Sequence, residues 1–262
     1  MHVCVSLYEP AIAGGPLIYT MKLKFVFAAL VVCAYVGSAF AQSVVITPKR
    51  TVYTRPRPLM DFKKTFVVRR PIATAATPAL SQKITAAISP ESVLSLELKD
   101  EMGEYQWVEE ADYKVLYNGD GVLSISLWME GTAAYPDSVT KYAVVDLKTG
   151  RRVGAADVFQ NLPYLAAMIR SAQVAEVSSA IEEMKKDPEN KDIDPAELFA
   201  ETNFKAEDIK EFSIDEQGVT FYYDYGFPHV IEALQPPGEF RFGWGQVRPF
   251  IKPNGLLARF IG

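Results

Sequence analysis

Residues 112–130 read DYKVLYNGDGVLSISLWME, and residues 140–150 read TKYAVVDLKTG. Asn118-Gly119-Asp120-Gly121 gathers residues that accept a positive φ, so the first stretch predicts two strands, 112–117 and 122–130, joined by a hairpin reversal. In the second strand Leu123, Ile125, Leu127 and Met129 fall on one face, and Ser124, Ser126 and Trp128 on the other. A third strand, 140–146, enters the turn Leu147-Lys148-Thr149-Gly150. This is an antiparallel meander with one face packed on another layer.

Working outward, the other periodic segments supply that layer. Leu162, Leu165, Ile169 and Ala172, followed after a phase slip by Val177, Ile181 and Met184, predict a bent helix lying over the meander. Upstream, Pro78 opens a helix of about ten residues with Leu80, Ile84 and Ile88 on one stripe. Residues 91–103 fit a strand or a helix equally, because Leu94, Leu96 and Leu98 satisfy both periods. Downstream, Asp194-Pro195 starts a short helix through Phe199. Two strands, 211–215 and 219–224, then meet at Glu216-Gln217-Gly218, and Arg241-Phe242 closes a second sheet before a helical turn near 246–251. The expected class is α+β, with antiparallel sheets packed against helices in two adjoining subdomains, 61–160 and 161–262.

With 262 residues, 49% of them hydrophobic and 23% charged, the chain has enough material for a sizeable core and is not a disordered or fibrous sequence. Its amino-terminal 41 residues read as a leader. From Met21, the expected true start, a basic pair precedes the apolar run 25–36 and the Ala39-Phe40-Ala41 cleavage pattern of an export signal. That run is shorter than the roughly 20 residues a bilayer span requires, so no transmembrane anchor is expected, and the chain reads as periplasmic or secreted. Cleavage after Ala41 would remove both cysteines, Cys4 and Cys33, together with His2, and leave His229 as the one histidine. Cysteine nucleophiles, Cys/His zinc sites and paired-histidine metal sites are thereby excluded from the mature chain, and neither metal nor cofactor is expected.

Charge divides along the sequence. Residues 42–90 carry nine Lys or Arg against Asp61 alone, whereas 91–262 carry 16 against 30 acidic residues. Within the basic part, 42–60 holds Pro48, Pro56 and Pro58 among Lys49, Arg50, Arg55 and Arg57 and reads as an extended, solvated linker. Export and the acidic remainder argue against nucleic acid as a partner and favour a cationic one.

No nucleophile elbow, P-loop, dinucleotide fingerprint or metalloprotease motif is present, and no residue is assigned a catalytic role. Paired carboxylates of the glycosidase kind remain open, since sequence does not measure their separation. Aromatic residues crowd the last quarter, and those facing outward are candidates for a stacking surface. Tyr222, Tyr225 and Trp244, with His229 beside them, are the expected partner-binding residues. Tyr135 joins them as the large aromatic of the loop 130–138. It is expected to be exposed, with a fold-back over the sheet as the alternative.

Leu123-Ser-Ile-Ser126, then Tyr142-Ala-Val-Val-Asp-Leu-Lys-Thr-Gly150 and Asp157-Val-Phe159, resemble the first extracellular domain of RsiV-type anti-sigma factors, which also stands beside the catalytic domain of PdaC-type peptidoglycan deacetylases. Residues 212–228 with Gly238 are similar to the second domain of that pair. The resemblance covers about 60–252 and lacks the deacetylase and sigma-binding parts. The family's Ala-His-Gly segment is also missing, replaced here by 130–138. It implies an exported α+β module whose relatives work at the cell wall and, in one branch, bind lysozyme. The expected function is a non-enzymatic binding module of the cell envelope for a lysozyme-like cationic protein or a wall glycan. The alternatives are a wall hydrolase using paired carboxylates and a structural accessory without a ligand.

Overall fold

The computed structural model describes residues 43–262, which lie within one compact unit, so the leader reading falls outside the described residues. Among the described residues nine strands form two sheets. The larger has the order β1 (Val45–Thr54), β2 (Thr65–Thr74), β3 (Val108–Gly119), β4 (Val122–Thr132), β5 (Pro136–Asp146) and β6 (Arg151–Arg152). The smaller is β7 (Phe212–Ile214), β8 (Gly218–Tyr222) and β9 (Glu239–Gly243). Every pairing is antiparallel except β2 with β3, which is parallel and therefore needs a crossover. That crossover holds α1 (Pro78–Ala87), α2 (Pro90–Val93) and α3 (Leu98–Met102), which resolves the ambiguity of 91–103 in favour of two short helices. The class is α+β.

The hairpin reversal forms as predicted, with Asp120 and Gly121 both at positive φ. Strand β4 differs from the expectation of one packed face: it is buried on both. Leu123, Ile125 and Leu127 join Ile84 of α1 and Ile88, its C-cap residue, in one core, and Val122 joins a second core with Phe212, Phe221 and Leu165. The layer over the meander's apolar face is thus the crossover segment, and not the helix α5 (Leu162–Lys186), which packs into the second core. The short α4 (Ala155–Val158) leads into α5. Ser124 explains how a polar face is buried without penalty, since its Oγ accepts a 3.0 Å hydrogen bond from the Ile214 amide of β7.

The segment read as a solvated linker is instead the edge strand β1, paired residue for residue with β2 from Val45↔Thr74 to Thr54↔Thr65. Its basic, proline-bearing composition misleads because an edge strand needs only one hydrogen-bonded side and little burial. Pro48 and neighbouring cations are devices that keep such an edge from aggregating. Arg55 then anchors the turn. Its side chain is fully buried, pairs with Glu101 at 2.9 Å, and donates to the carbonyls of Glu101, Lys63 and Val108.

Candidate functional site

The candidate site is a groove along the outer edge of β5. β6 covers that edge only at Val145 and Asp146, leaving the strand from Pro136 to Tyr142 without a neighbouring strand among the described residues. The facing wall is the segment 224–239, closed at its base by a backbone hydrogen bond between Tyr223 and Gly238. The Tyr223 amide donates to the Gly238 carbonyl at 2.9 Å. Gly238 has φ +64°, and a Cβ there would lie 2.0 Å from the Tyr223 carbonyl oxygen, so the sequence requires glycine at this closure.

Two adjoining cavities occupy the groove. One of about 660 Å³ is lined by Glu109, Glu130, Asp137, His229 and Glu232, among others. The other, of about 450 Å³, is lined by Thr140, Lys141, Tyr142, Glu211, Tyr222, Asp224 and Glu239. Ser138 and Glu232 line both, so the two lie side by side along the strand. Seven carboxylates thus face one lysine and one histidine. The lysine is partly neutralised in place, with Lys141 Nζ 3.3 Å from Glu211. His229 Nδ1 lies 2.8 Å from Glu232.

At the mouth, Tyr135 is 63% exposed and its ring lies 5.4 Å from that of His229. The two come from elements 94 residues apart, the β4–β5 turn and a 3-10 turn at His229–Leu234. At the other end Tyr222 stacks on Tyr142, with centroids 3.6 Å apart and planes 9° from parallel. Burial pushes both phenols up, assisted for Tyr142 by Tyr222 and nearby carboxylates, so both remain neutral donors. The Tyr222 hydroxyl lies 2.8 Å from the Ser213 hydroxyl.

The other two residues picked from sequence stand apart. Tyr225 is half-buried and its hydroxyl donates to Glu176 of α5 at 2.6 Å, while Glu176 also accepts from the Gly238 amide. Burial, with Glu176 next, raises the Tyr225 phenol. Its place in the groove is to hold the wall segment to α5. Trp244 stacks on Phe260 at 4.3 Å, beside Tyr117 at the β3–β4 turn. That turn is at the far end of β4 from Tyr135, roughly 33 Å away at the usual rise per residue. The structure therefore brings together Tyr135, His229 and, along the groove, Tyr222, and it places Trp244 elsewhere. Sequence reasoning missed Tyr142 and the groove carboxylates. Tyr142 carries a local signal, since it shares the parity of Val144 and points away from the apolar core of β4, but its stacking partner is 80 residues distant.

No family model and no curated protein matches the sequence. Among solved structures, a member of the DUF3298 family from Bacteroides fragilis superposes with a TM-score of 0.50 at 14% identity, covering 84% of this chain and 98% of that one. The fold is similar to that of DUF3298 proteins. A second DUF3298 protein, from Pseudomonas aeruginosa, gives a TM-score of 0.47 at 14% identity, covering 80% of this chain and 95% of that one. Among the described residues no helix is long and apolar enough to cross a membrane.

Proposed function

We propose that the chain is a non-enzymatic binding module of the bacterial cell envelope, acting after export on a cationic protein of the lysozyme kind. The observation that carries this reading is the acidic groove of two adjoining cavities, with the exposed aromatic Tyr135 beside His229 at one end. Seven carboxylates on low-dielectric walls focus a negative potential, which speeds encounter with a cationic partner and repels anionic ones. Tyr135 supplies the rigid, amphipathic contact that binding surfaces concentrate. The resemblance to the extracellular pair of RsiV-type proteins supports the same class of partner. The charge favours a basic protein over a neutral or anionic wall glycan.

The test is calorimetric titration of residues 42–262 with a cationic lysozyme and with an acidic protein of similar size, at rising salt. Binding of the first alone, weakening as salt rises and weakened further by Asp137→Asn with Glu232→Gln, is the expected result. Failure to bind any cationic protein at low ionic strength would remove the reading.

A further inference from the structure

We infer that the groove takes its partner as an extended basic peptide segment, which adds to the exposed edge of β5 as an antiparallel or parallel strand. This rests on the cationic-partner reading and specifies how recognition occurs.

The backbone of β5 is the ground for it. The β4–β5 register runs without a shift from Val122↔Asp146 to Thr132↔Pro136, so alternate residues of β5 turn their amides and carbonyls away from β4 throughout. Two contacts show which residues these are. The Tyr142 amide donates outward to Glu211 Oε1 at 2.6 Å, and the Val144 carbonyl accepts outward from the Val153 amide at 2.9 Å. By the same parity Ser138 and Thr140 present their backbone groups to the groove.

Their states differ in an informative way. The Ser138 amide is taken by its neighbour's carboxylate, Asp137 Oδ1, at 2.7 Å, and the Tyr142 amide by Glu211. Thr140, between them, is exposed, and no hydrogen bond to its outward amide or carbonyl occurs among the described residues. An incoming antiparallel strand in register would exchange both bonds between Thr140 and one opposing residue, and a parallel strand would bond the same two groups through the two residues that flank its opposing position. Such edges are ordinarily blocked by charge, proline or a covering loop. Here the covering segment 224–239 stands off the edge and leaves two cavities along it, of about 660 and 450 Å³. The side chains an added strand would place in those cavities face Glu130, Asp137, Glu232 and Glu239, so charge complementarity selects lysine or arginine at alternate positions. An acidic segment would meet repulsion at each of them.

The experiment uses residues 42–262 and a ten-residue peptide of alternating lysine and valine. Hydrogen exchange at the Thr140 amide, read by NMR on labelled protein, is expected to slow at least tenfold at saturation. An otherwise identical peptide N-methylated at every central residue, so that neither strand edge can donate, is expected to bind at least tenfold more weakly despite equal charge. Thr140→Pro removes the outward amide while sparing the β4 ladder, as prolines at sheet edges do. It is expected to weaken peptide binding with the melting temperature held within a few degrees. Exchange at Thr140 unchanged by saturating peptide, or equal affinity of the methylated peptide, overturns strand addition. If a cationic lysozyme binds in the same buffers, only the strand inference falls; if neither it nor the peptide binds, the cationic-partner reading falls first.

Discussion

Replacing Glu101 by Ala removes one member of a buried ion pair and leaves the Arg55 guanidinium behind, with side-chain exposures of 0% for Arg55 and 5% for Glu101 in the intact chain. The carboxylate has two duties: Oε2 accepts from Arg55 Nη2 at 2.9 Å and from the Val108 amide at 3.0 Å. Breaking a buried pair from one side costs about 3–5 kcal/mol. Arg55 keeps three carbonyl acceptors and its seat 4.5 Å from the Phe66 ring centroid, which places the cost at the lower end, about 3–4 kcal/mol. For a domain of this size each kcal/mol lowers the melting temperature by about 2–4 °C, so the variant is expected to melt roughly 6–16 °C below wild type. Glu101→Gln keeps an oxygen for the Val108 amide and loses only the charge, so it is expected between the two. Urea unfolding followed by far-ultraviolet dichroism gives the free energies, and calorimetry the midpoints. An alanine variant within 2 °C of wild type would refute the claim that the β1–β2 turn is locked by a desolvated pair. So would a glutamine variant as damaged as the alanine one.

Tyr135→Ala is expected to weaken binding of a cationic partner by about 1–2 kcal/mol, as at a modest hot spot, while changing stability by under about 0.5 kcal/mol; titration and a melt on the one variant check both. Gly131→Ala would put a Cβ 1.8 Å from the Trp107 carbonyl oxygen and 2.8 Å from the Glu109 amide, both backbone atoms that cannot swing away. A loss of about 1–3 kcal/mol or more is expected in urea, and a neutral result would contradict the close approach of β3 to β4 there. Burial, with Asp120 next, pushes the Tyr117 phenol up to about 12, and burial likewise raises Tyr142, Tyr222 and Tyr225. These groups hold their protons more tightly folded than unfolded, so their contribution is complete below about pH 10 and is lost as pH rises above it. Tyrosinate absorbance should therefore rise late, together with loss of structure, and full ionisation near pH 10 in the folded chain would contradict the burial.

The class of the fold and most of its elements were legible locally. The turn 118–121, the stripe Leu80-Ile84-Ile88 and the cap at Asp194 state their geometry within a few residues, because φ preference, helical period and capping are short-range. The exposure of Tyr135 also follows from its place at a turn between strands. Three features were not legible. The basic, proline-bearing stretch 45–54 has no apolar alternation to mark it as a strand, since an edge strand is stabilised by the backbone of β2 rather than by burial of its own side chains. The layer covering the Leu123 face was assigned to α5 by periodicity, yet periodicity says only that a stripe is buried and not against what. The groove depends on pairings such as Tyr135 with His229, Tyr142 with Tyr222 and Lys141 with Glu211, in which residues separated by 70 or more positions meet because two sheets pack together. Composition already determined that the chain is acidic beyond its first ninety residues and has no cysteine and one histidine beyond residue 41. Only the tertiary structure decided where that charge converges, because convergence is a property of long-range packing and no local rule encodes it.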